Sequence, residues 1–204
     1  MPSHHVLVRS FASALALTGL VAVTAPAAGA EAAPDSRVPA SRVKLEFVKN
    51  ANDPSNSVLR VYDGEKLVTR YRAGSGLGTA ADEGDENKRF RNDCARKAGW
   101  LPNGTYKPTS FEINRDKVIK GYAIGLPNAM CRSGEGTIRT GLFIHSEMTK
   151  DGEQGPRNGP DSPQRWDGVQ DYKSWGCIKL HPKHIAELFS YMNHHGRAVL
   201  LTVR

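Results

Sequence analysis

One stretch organises the rest of the chain: Ser174-Trp175-Gly176-Cys177-Ile178-Lys179-Leu180. It places a cysteine directly after a glycine, between a polar loop and an apolar run. Upstream, the run Gly141-Leu142-Phe143-Ile144-His145-Ser146 predicts a buried strand that ends with a histidine. A thiol is a weak nucleophile until a base or a positive field makes it a thiolate. The two stretches together lead to the hypothesis that His145 activates Cys177.

The chain has three cysteines, and their pairing decides whether this thiol is available. In an oxidising compartment cysteines close in pairs, and a leftover thiol needs a reason. We favour a disulfide between Cys94 and Cys131 that leaves Cys177 free, with the other two pairings still open at this point. The competing interpretation is that Cys177 is itself paired or simply buried.

An oxidising compartment is expected because residues 1–30 have the features of a secretory signal peptide. Arg9 supplies the positive region, residues 11–23 are an apolar core too short to span a bilayer, and Ala28-Gly29-Ala30 supplies a cleavage site. A retained N-terminal anchor is the alternative. We expect a secreted, cell-wall-associated protein that contacts no membrane once the signal is removed.

The remaining sequence predicts a short linker over residues 31–42 and one strand-rich domain over residues 43–204. Asp63-Gly64 between two alternating runs predicts a β-hairpin whose two central residues need positive φ. One amphipathic helix is predicted near the C-terminus, ended by Gly196. Its apolar face consists of Ile185, Leu188, Phe189 and Met192. A mainly β domain of this kind closes into a sandwich or a barrel.

The formal net charge is +7, which attracts polyanions such as wall polymers, peptide carboxylates or nucleic acid. Basic and aromatic residues do not alternate as they do in nucleic-acid-binding motifs, so the sequence argues against nucleic acid. Charge that serves only solubility is the competing explanation. The long polar loop over residues 149–173 is typical of either a functional lid or a disordered insertion.

Of the five histidines beyond residue 30, only His145 ends an apolar strand. Ser146 could orient its imidazole through a hydroxyl or a main-chain carbonyl. Gly176 leaves room for a substrate carbonyl, and the N–H groups of Gly176 and Cys177 are candidates for an oxyanion hole. The competing interpretations are that His145 is an ordinary core histidine and that Gly176 serves only a turn or a bulge.

These residues resemble the catalytic domains of secreted L,D-transpeptidases. That family carries a histidine on a strand, then a loop, then Ser-x-Gly-Cys followed by Ile or Val, a basic residue and an apolar one. The hairpin at Asp63-Gly64 and the turn Pro102-Asn103-Gly104-Thr105-Tyr106 also resemble family elements, in the right order over most of residues 43–203. The resemblance implies a β-sandwich of mixed sheets with a capping helix, acting on peptidoglycan stem peptides during cell-wall synthesis.

The resemblance also implies a chemistry. Cys177 attacks the carbonyl of the L-centre of a diamino acid, expels the terminal D-alanine and forms a thioester. An amine of a second stem peptide resolves the thioester into a 3-3 cross-link, whereas water as acceptor makes the enzyme an L,D-carboxypeptidase. His145 deprotonates Cys177 or holds an imidazolium–thiolate pair, and Ser146 orients His145. The family needs no metal and no organic cofactor.

Three features depart from the family pattern. Trp175 stands where many members have histidine, and it either stacks over substrate or simply packs. Lys179 stands where many have arginine, so it pairs with a substrate carboxylate only as a point charge. The interval between His145 and Cys177 is longer because of the loop at residues 149–173. The predicted substrate contacts are Ser174, Trp175 and Lys179.

Two other functions compete with the transpeptidase. In the first, Cys94 is the nucleophile, because Asn92-Asp93-Cys94-Ala95 faintly resembles the Asp-Cys-Ser element of secreted peptidoglycan cysteine peptidases and His145 follows it. In the second, the protein is a non-catalytic secreted wall-binding or inhibitory protein that uses its basic surface and long loop.

Overall fold

The structure is a computed structural model that describes residues 41–79, 89–131 and 136–204. The signal peptide predicted at residues 1–30 lies outside the described residues, as does all of the linker predicted at residues 31–42 except its last two positions. Both assignments therefore stay predictions. No helix among the described residues is long and apolar enough to cross a membrane.

The described chain is mainly β, with short 3-10 turns and one α-helix. The strands and the helix are β1 (Val43–Val48), β2 (Ser57–Asp63), β3 (Lys66–Gly74), β4 (Gly104–Tyr106), β5 (Ser110–Asp116), β6 (Lys120–Gly125), β7 (Ala129–Met130), β8 (Ile138–Arg139), β9 (Phe143–His145), β10 (Ile178–Leu180), α1 (Pro182–His195) and β11 (Leu200–Val203).

Nine of the strands form one mixed sheet in the order β4-β11-β1-β2-β3-β10-β9-β6-β5, and β7 pairs with β8 in a separate two-stranded sheet. The pairs β1–β11 and β9–β10 are parallel, and the other neighbours are antiparallel. Side chains from nearly all of these strands meet those of α1 in one buried cluster. The expected mainly β class, with mixed sheets and one C-terminal helix, is confirmed.

The hairpin between β2 and β3 is confirmed, although its turn differs from the expected one. Asp63 pairs with Lys66, so the two loop residues are Gly64 and Glu65. Of these only Gly64 has a positive φ, at 61°. Asp63 ends the strand instead of occupying the turn, and a single glycine therefore satisfies the backbone requirement.

Helix α1 begins and ends where the sequence predicts. Pro182 occupies its first turn, where a missing N–H costs nothing, and His181 caps it by accepting a hydrogen bond from the Lys183 N–H at 3.2 Å. Gly196 ends it with a φ of 90°. The four predicted apolar residues are all buried against the sheet, so the amphipathic pattern fixes which face of the helix packs.

The parallel pair β9–β10 positions the site. Ile144 lies opposite Ile178, and both are fully buried in the core. Side chains alternate between the two faces of a strand, so the next residues along β9 and β10 point away from the core. His145, which pairs with Lys179, and Cys177, directly before Ile178, therefore lie on the same outward face.

Candidate active site

Cys177, His145, Ser174, Trp175 and Lys179 all line one cleft of about 960 Å³. The cleft thus includes five of the seven residues predicted for catalysis, the oxyanion hole and substrate contact. The other two, Ser146 and Gly176, are buried.

The Cys177 thiol is free and half-buried. Its Sγ donates to the main-chain carbonyl of Gly141 at 3.5 Å. Burial raises the pKa of the Cys177 thiol to about 11, although a hydrogen bond from the Phe143 main chain and the charges of Lys179 and Arg139 oppose the rise. At neutral pH the resting sulfur is therefore a thiol.

The imidazole of His145 is oriented by its neighbour. Nδ1 lies 2.9 Å from the main-chain carbonyl of Ser146, and because a carbonyl only accepts, Nδ1 carries the proton and Nε2 keeps its lone pair. Burial lowers the pKa of His145 to about 3, and the nearby charge of Lys179 lowers it further. The imidazole is thus a neutral base at physiological pH.

The lowered pKa of His145 and the raised pKa of Cys177 both favour the neutral forms. The site therefore favours a thiol and a neutral imidazole over the alternative, an imidazolium–thiolate pair. Ser146 contacts His145 through its carbonyl. Its hydroxyl oxygen is buried and has no hydrogen-bond partner among the described residues. Of the two ways in which Ser146 was expected to orient His145, the structure therefore has the main-chain one.

The hydroxyl of Ser174 holds together the segment over residues 174–177, which we call the nucleophile loop because it carries Cys177. It donates to the Cys177 carbonyl at 2.6 Å and accepts from the N–H groups of Gly176 at 3.2 Å and Gly76 at 3.3 Å. These three bonds fill the capacity of a hydroxyl, which has one donor and two acceptor positions. The observed role of this hydroxyl is thus to fix the loop that carries Cys177, and contact of Ser174 with substrate stays a prediction.

Gly176 is required for a different reason from the one expected. Its φ is 115°, and a Cβ at this position would lie 2.3 Å from Nη2 of Arg139. A protein side chain, and not an approaching substrate, occupies the space. Because the Gly176 N–H already donates to Ser174, the expected oxyanion hole loses one of its two predicted donors and keeps only the Cys177 N–H.

Arg139 is a residue of the site that the sequence did not reveal. Its side chain on β8 is only 4% exposed. The guanidinium donates to four main-chain carbonyls: Asp93, Gly99 at 3.2 Å, Trp100 at 3.4 Å and Trp175 at 2.7 Å. Burial lowers the pKa of Arg139, and the charges of Asp93 and Cys177 raise it. This cation thus braces the nucleophile loop and favours a thiolate at Cys177.

Lys179 is not the open cation that the family pattern suggested. Its side chain is buried and forms an ion pair with Glu147. Burial raises the pKa of Glu147, which the charge of Lys179 opposes. The predicted pairing of Lys179 with a substrate carboxylate is therefore replaced by a pairing within the protein, and its charge acts on His145 and Cys177.

Trp175 is 62% exposed at the cleft, so of its two proposed roles, stacking and packing, the position favours stacking over a ligand. The amine of Lys97 lies 5.5 Å from the centre of its ring. The long loop at residues 149–173 borders the cleft through Lys173. Its Trp166 contacts Tyr172 and His181, with ring centres 4.7 Å and 5.3 Å apart.

Cys94 and Cys131 form a disulfide bond, as favoured from the sequence, and Cys177 is the free cysteine. A sulfur held in a disulfide is not a nucleophile. The alternative in which Cys94 attacks substrate is therefore wrong for this oxidised state.

Two groups of described side chains bring three potential metal ligands within 4.8 Å of one another. One is Asp93 with the two disulfide-bonded cysteines, whose sulfurs are not thiolates. The other is Glu147, Asp161 and Asp171, in which Glu147 is already ion-paired with Lys179. Neither group contains Cys177 or His145.

Comparison with known proteins identifies a family. The model of the YkuD L,D-transpeptidase catalytic domain matches residues 50–200. No curated protein sequence matches the chain.

Several solved structures match the chain, at low sequence identity and with TM-scores below 0.5. One is that of Bdellovibrio bacteriovorus Bd1075, at 14% identity and a TM-score of 0.44, covering 80% of this chain and 48% of that one. L,D-transpeptidase 1 of Mycobacterium tuberculosis is 13% identical, with a TM-score of 0.38 and coverage of 79% and 62%. The ertapenem-acylated catalytic domain of the E. faecium L,D-transpeptidase is 15% identical, with a TM-score of 0.37 and coverage of 81% and 98%. The chain thus spans about half of Bd1075.

Proposed function

The chain belongs to the YkuD L,D-transpeptidase catalytic-domain family, and from this premise we propose that it is a cysteine acyltransferase acting on peptidoglycan stem peptides. The observation that carries the proposal is the free thiol of Cys177 on the same outward strand face as the neutral imidazole of His145, in one cleft. The predicted signal peptide at residues 1–30 and the disulfide support export to the cell wall.

In the first half-reaction the Cys177 sulfur attacks the carbonyl carbon of the L-centre of the diamino acid. The thiol proton passes to Nε2 of His145 as the S–C bond forms. The C–N bond to the terminal D-alanine then breaks, and the departing nitrogen takes the proton back from His145. The products are a thioester at Cys177 and free D-alanine, with His145 neutral again.

In the second half-reaction an amine of another stem peptide attacks the thioester. His145 takes a proton from that amine and returns it to the Cys177 sulfur as the S–C bond breaks. The new amide is a 3-3 cross-link between two diamino acids. If water attacks in place of the amine, the same proton transfers give a hydrolysed tripeptide.

The charges around the pair explain why proton transfer and attack belong to one step. Lys179 and Arg139 stabilise negative charge at Cys177, while burial and Lys179 disfavour positive charge on His145. A separated imidazolium–thiolate pair is therefore unfavourable at rest. The proton moves as negative charge develops on the substrate oxygen, which the Cys177 N–H and the two cations then stabilise.

The test is to incubate the exported protein with a disaccharide tetrapeptide, with and without an acceptor stem peptide. We expect D-alanine release in both cases and a cross-linked dimer only with the acceptor. Cys177→Ala is expected to abolish both products. Turnover that survives in Cys177→Ala contradicts the proposal, and binding of the tetrapeptide without any turnover by the wild type favours a non-catalytic wall-binding protein.

A further inference from the structure

The cleft carries more positive charge than the proposed chemistry uses. Among the described residues that line it, five are cationic and none is acidic. The five are Arg96, Lys97, Arg139, Lys173 and Lys179. Arg139 is occupied by main-chain carbonyls and Lys179 by Glu147. Arg96 and Lys97 are exposed, and neither forms an ion pair with a described residue.

Lys97 is held in an unusual backbone conformation. Its φ is 56°, in the left-handed region that residues other than glycine rarely adopt. The surrounding segment maintains it. The Ala98 carbonyl accepts from the Leu77 N–H at 2.9 Å, the Gly99 N–H donates to Ala95 at 2.9 Å, and the disulfide ties down Cys94. Such conformations persist only where neighbouring structure enforces them, and they concentrate at ligand-binding sites.

This conformation brings Lys97 to the exposed ring of Trp175, with its amine 5.5 Å from the ring centre. Trp175 lies two positions before Cys177. Lys97, Trp175 and Cys177 line the same cleft, so one molecule can contact the cation–aromatic pair and the thiol together. An ammonium beside an aromatic face binds an anion attached to an apolar stem, because the anion meets the charge while the stem covers the ring.

We propose that Lys97, Arg96 and Trp175 form a carboxylate subsite that selects donor stem peptides with free side carboxylates over amidated ones. The proposal rests on the proposed function, because it names the substrate feature that the same cleft recognises. Besides the carboxylate of the departing D-alanine, a tetrapeptide donor offers this chemistry at the α-carboxylate of its isoglutamyl residue and, where the diamino acid has one, at its second carboxylate. Amidation removes the charge at either place.

The test compares three disaccharide tetrapeptides: both carboxylates free, only the isoglutamyl one amidated, and only the diamino acid amidated. We expect kcat/KM for D-alanine release to be about three- to tenfold higher for the free form than for one of the amidated forms, which identifies the carboxylate bound. The preference should shrink at high salt, because the charges are near solvent.

Lys97→Asn should remove the preference, since asparagine tolerates positive φ but carries no charge. The matched control is Lys66→Asn, which changes an exposed lysine in the β2–β3 hairpin and should keep the preference. Equal kcat/KM for the three substrates, or a preference that survives in Lys97→Asn, overturns the proposal.

Equilibrium binding separates failure of this proposal from failure of the proposed function. If the wild type turns over none of the substrates, the proposed function fails. The affinities of the same three molecules for Cys177→Ala then test the subsite independently of turnover. Binding that is about three- to tenfold tighter for the free form supports the subsite. Equal binding of the free and amidated forms overturns it.

Discussion

The two sides of Cys177 are held in place by different means. On the strand side, formed by β9 and β10, parallel pairing and two buried isoleucines fix His145 beside the nucleophile loop. On the arginine side, formed by Arg139 and residues 93–100, one buried guanidinium holds four carbonyls and a disulfide closes the segment. The strand side depends on a repeating backbone pattern, whereas the arginine side depends on a few individual side chains. Substitutions should therefore act on chemistry on the first side and on positioning on the second.

The largest effect is expected on the strand side. His145→Gln removes the base that takes the thiol proton, and kcat should fall by about 10²- to 10⁴-fold. Thermal unfolding should change little, because the half-buried ring makes its one observed bond to a main-chain carbonyl. The control His194→Gln alters an exposed histidine at the end of α1. A His145→Gln enzyme with near wild-type kcat would remove His145 from the mechanism.

On the arginine side, Arg139→Gln leaves buried carbonyls without partners and should lower the free energy of unfolding by about 1–3 kcal/mol. We also expect about a tenfold or greater loss of kcat, because the nucleophile loop loses its brace. Removing this cation raises the pKa of Cys177 further, so alkylation by iodoacetamide at a fixed alkaline pH should slow. The control is Arg70→Gln, an exposed position on β3. Faster alkylation in Arg139→Gln, with unchanged kcat, would contradict the role of Arg139 in positioning the nucleophile loop.

Gly176→Ala tests the contact between the two sides. The new Cβ would lie 2.3 Å from Arg139, at a backbone φ of 115°, so we expect about a tenfold loss of kcat and a lower melting temperature. Gly159→Ala is the matched control. Its φ is also positive, at 94°, but its Cβ meets nothing within 4 Å. Equal effects of the two substitutions would mean that backbone strain alone, without the clash, accounts for the loss.

Removing the disulfide should have a smaller effect on catalysis than on stability. The paired substitution Cys94→Ala with Cys131→Ala opens a loop of 37 residues and should cost about 2–4 kcal/mol of unfolding free energy. At temperatures well below the melting point, D-alanine release should persist, because the proposed nucleophile is Cys177. Complete loss of turnover in a variant that circular dichroism shows to be folded would reopen the role of Cys94.

The smallest effect is the response to pH. The pKa of His145 is lowered to about 3 and that of Cys177 raised to about 11, so neither group titrates near neutrality. Below about pH 3 the base is protonated and activity is lost, while kcat/KM should change less than about twofold between pH 5.5 and pH 8. An inflection near the ordinary pKa of histidine would mean that the imidazole is not buried as described.

The contrast between the two sides also separates what the sequence could predict from what it could not. Cys177, His145 and α1 follow from local patterns: an apolar run, a motif and helical spacing. Arg139 contacts Trp175 across 36 positions of the chain, and in its own segment it looks like any polar residue of a short strand. The ion pair between Lys179 and Glu147 was missed for the same reason, because such pairs depend on tertiary contacts that no local pattern encodes.

The hydroxyl of Ser174 and the space beside Gly176 show the same limit at closer range. From the sequence alone both are assigned to substrate, because no local pattern indicates a protein partner for either. The structure fills that space with Arg139 and uses the hydroxyl within the loop. A motif thus identifies which residues are constrained, while the neighbours that constrain them come from elsewhere in the chain.

The most direct test of the central claim is to trap the thioester. The exported protein, incubated with a disaccharide tetrapeptide in the absence of an acceptor amine and quenched in acid, should gain the mass of the donor less D-alanine. Peptide mapping should place the added mass on Cys177, and Cys177→Ala should gain none. D-alanine release without a covalent adduct on Cys177, or an adduct on another residue, would contradict the account.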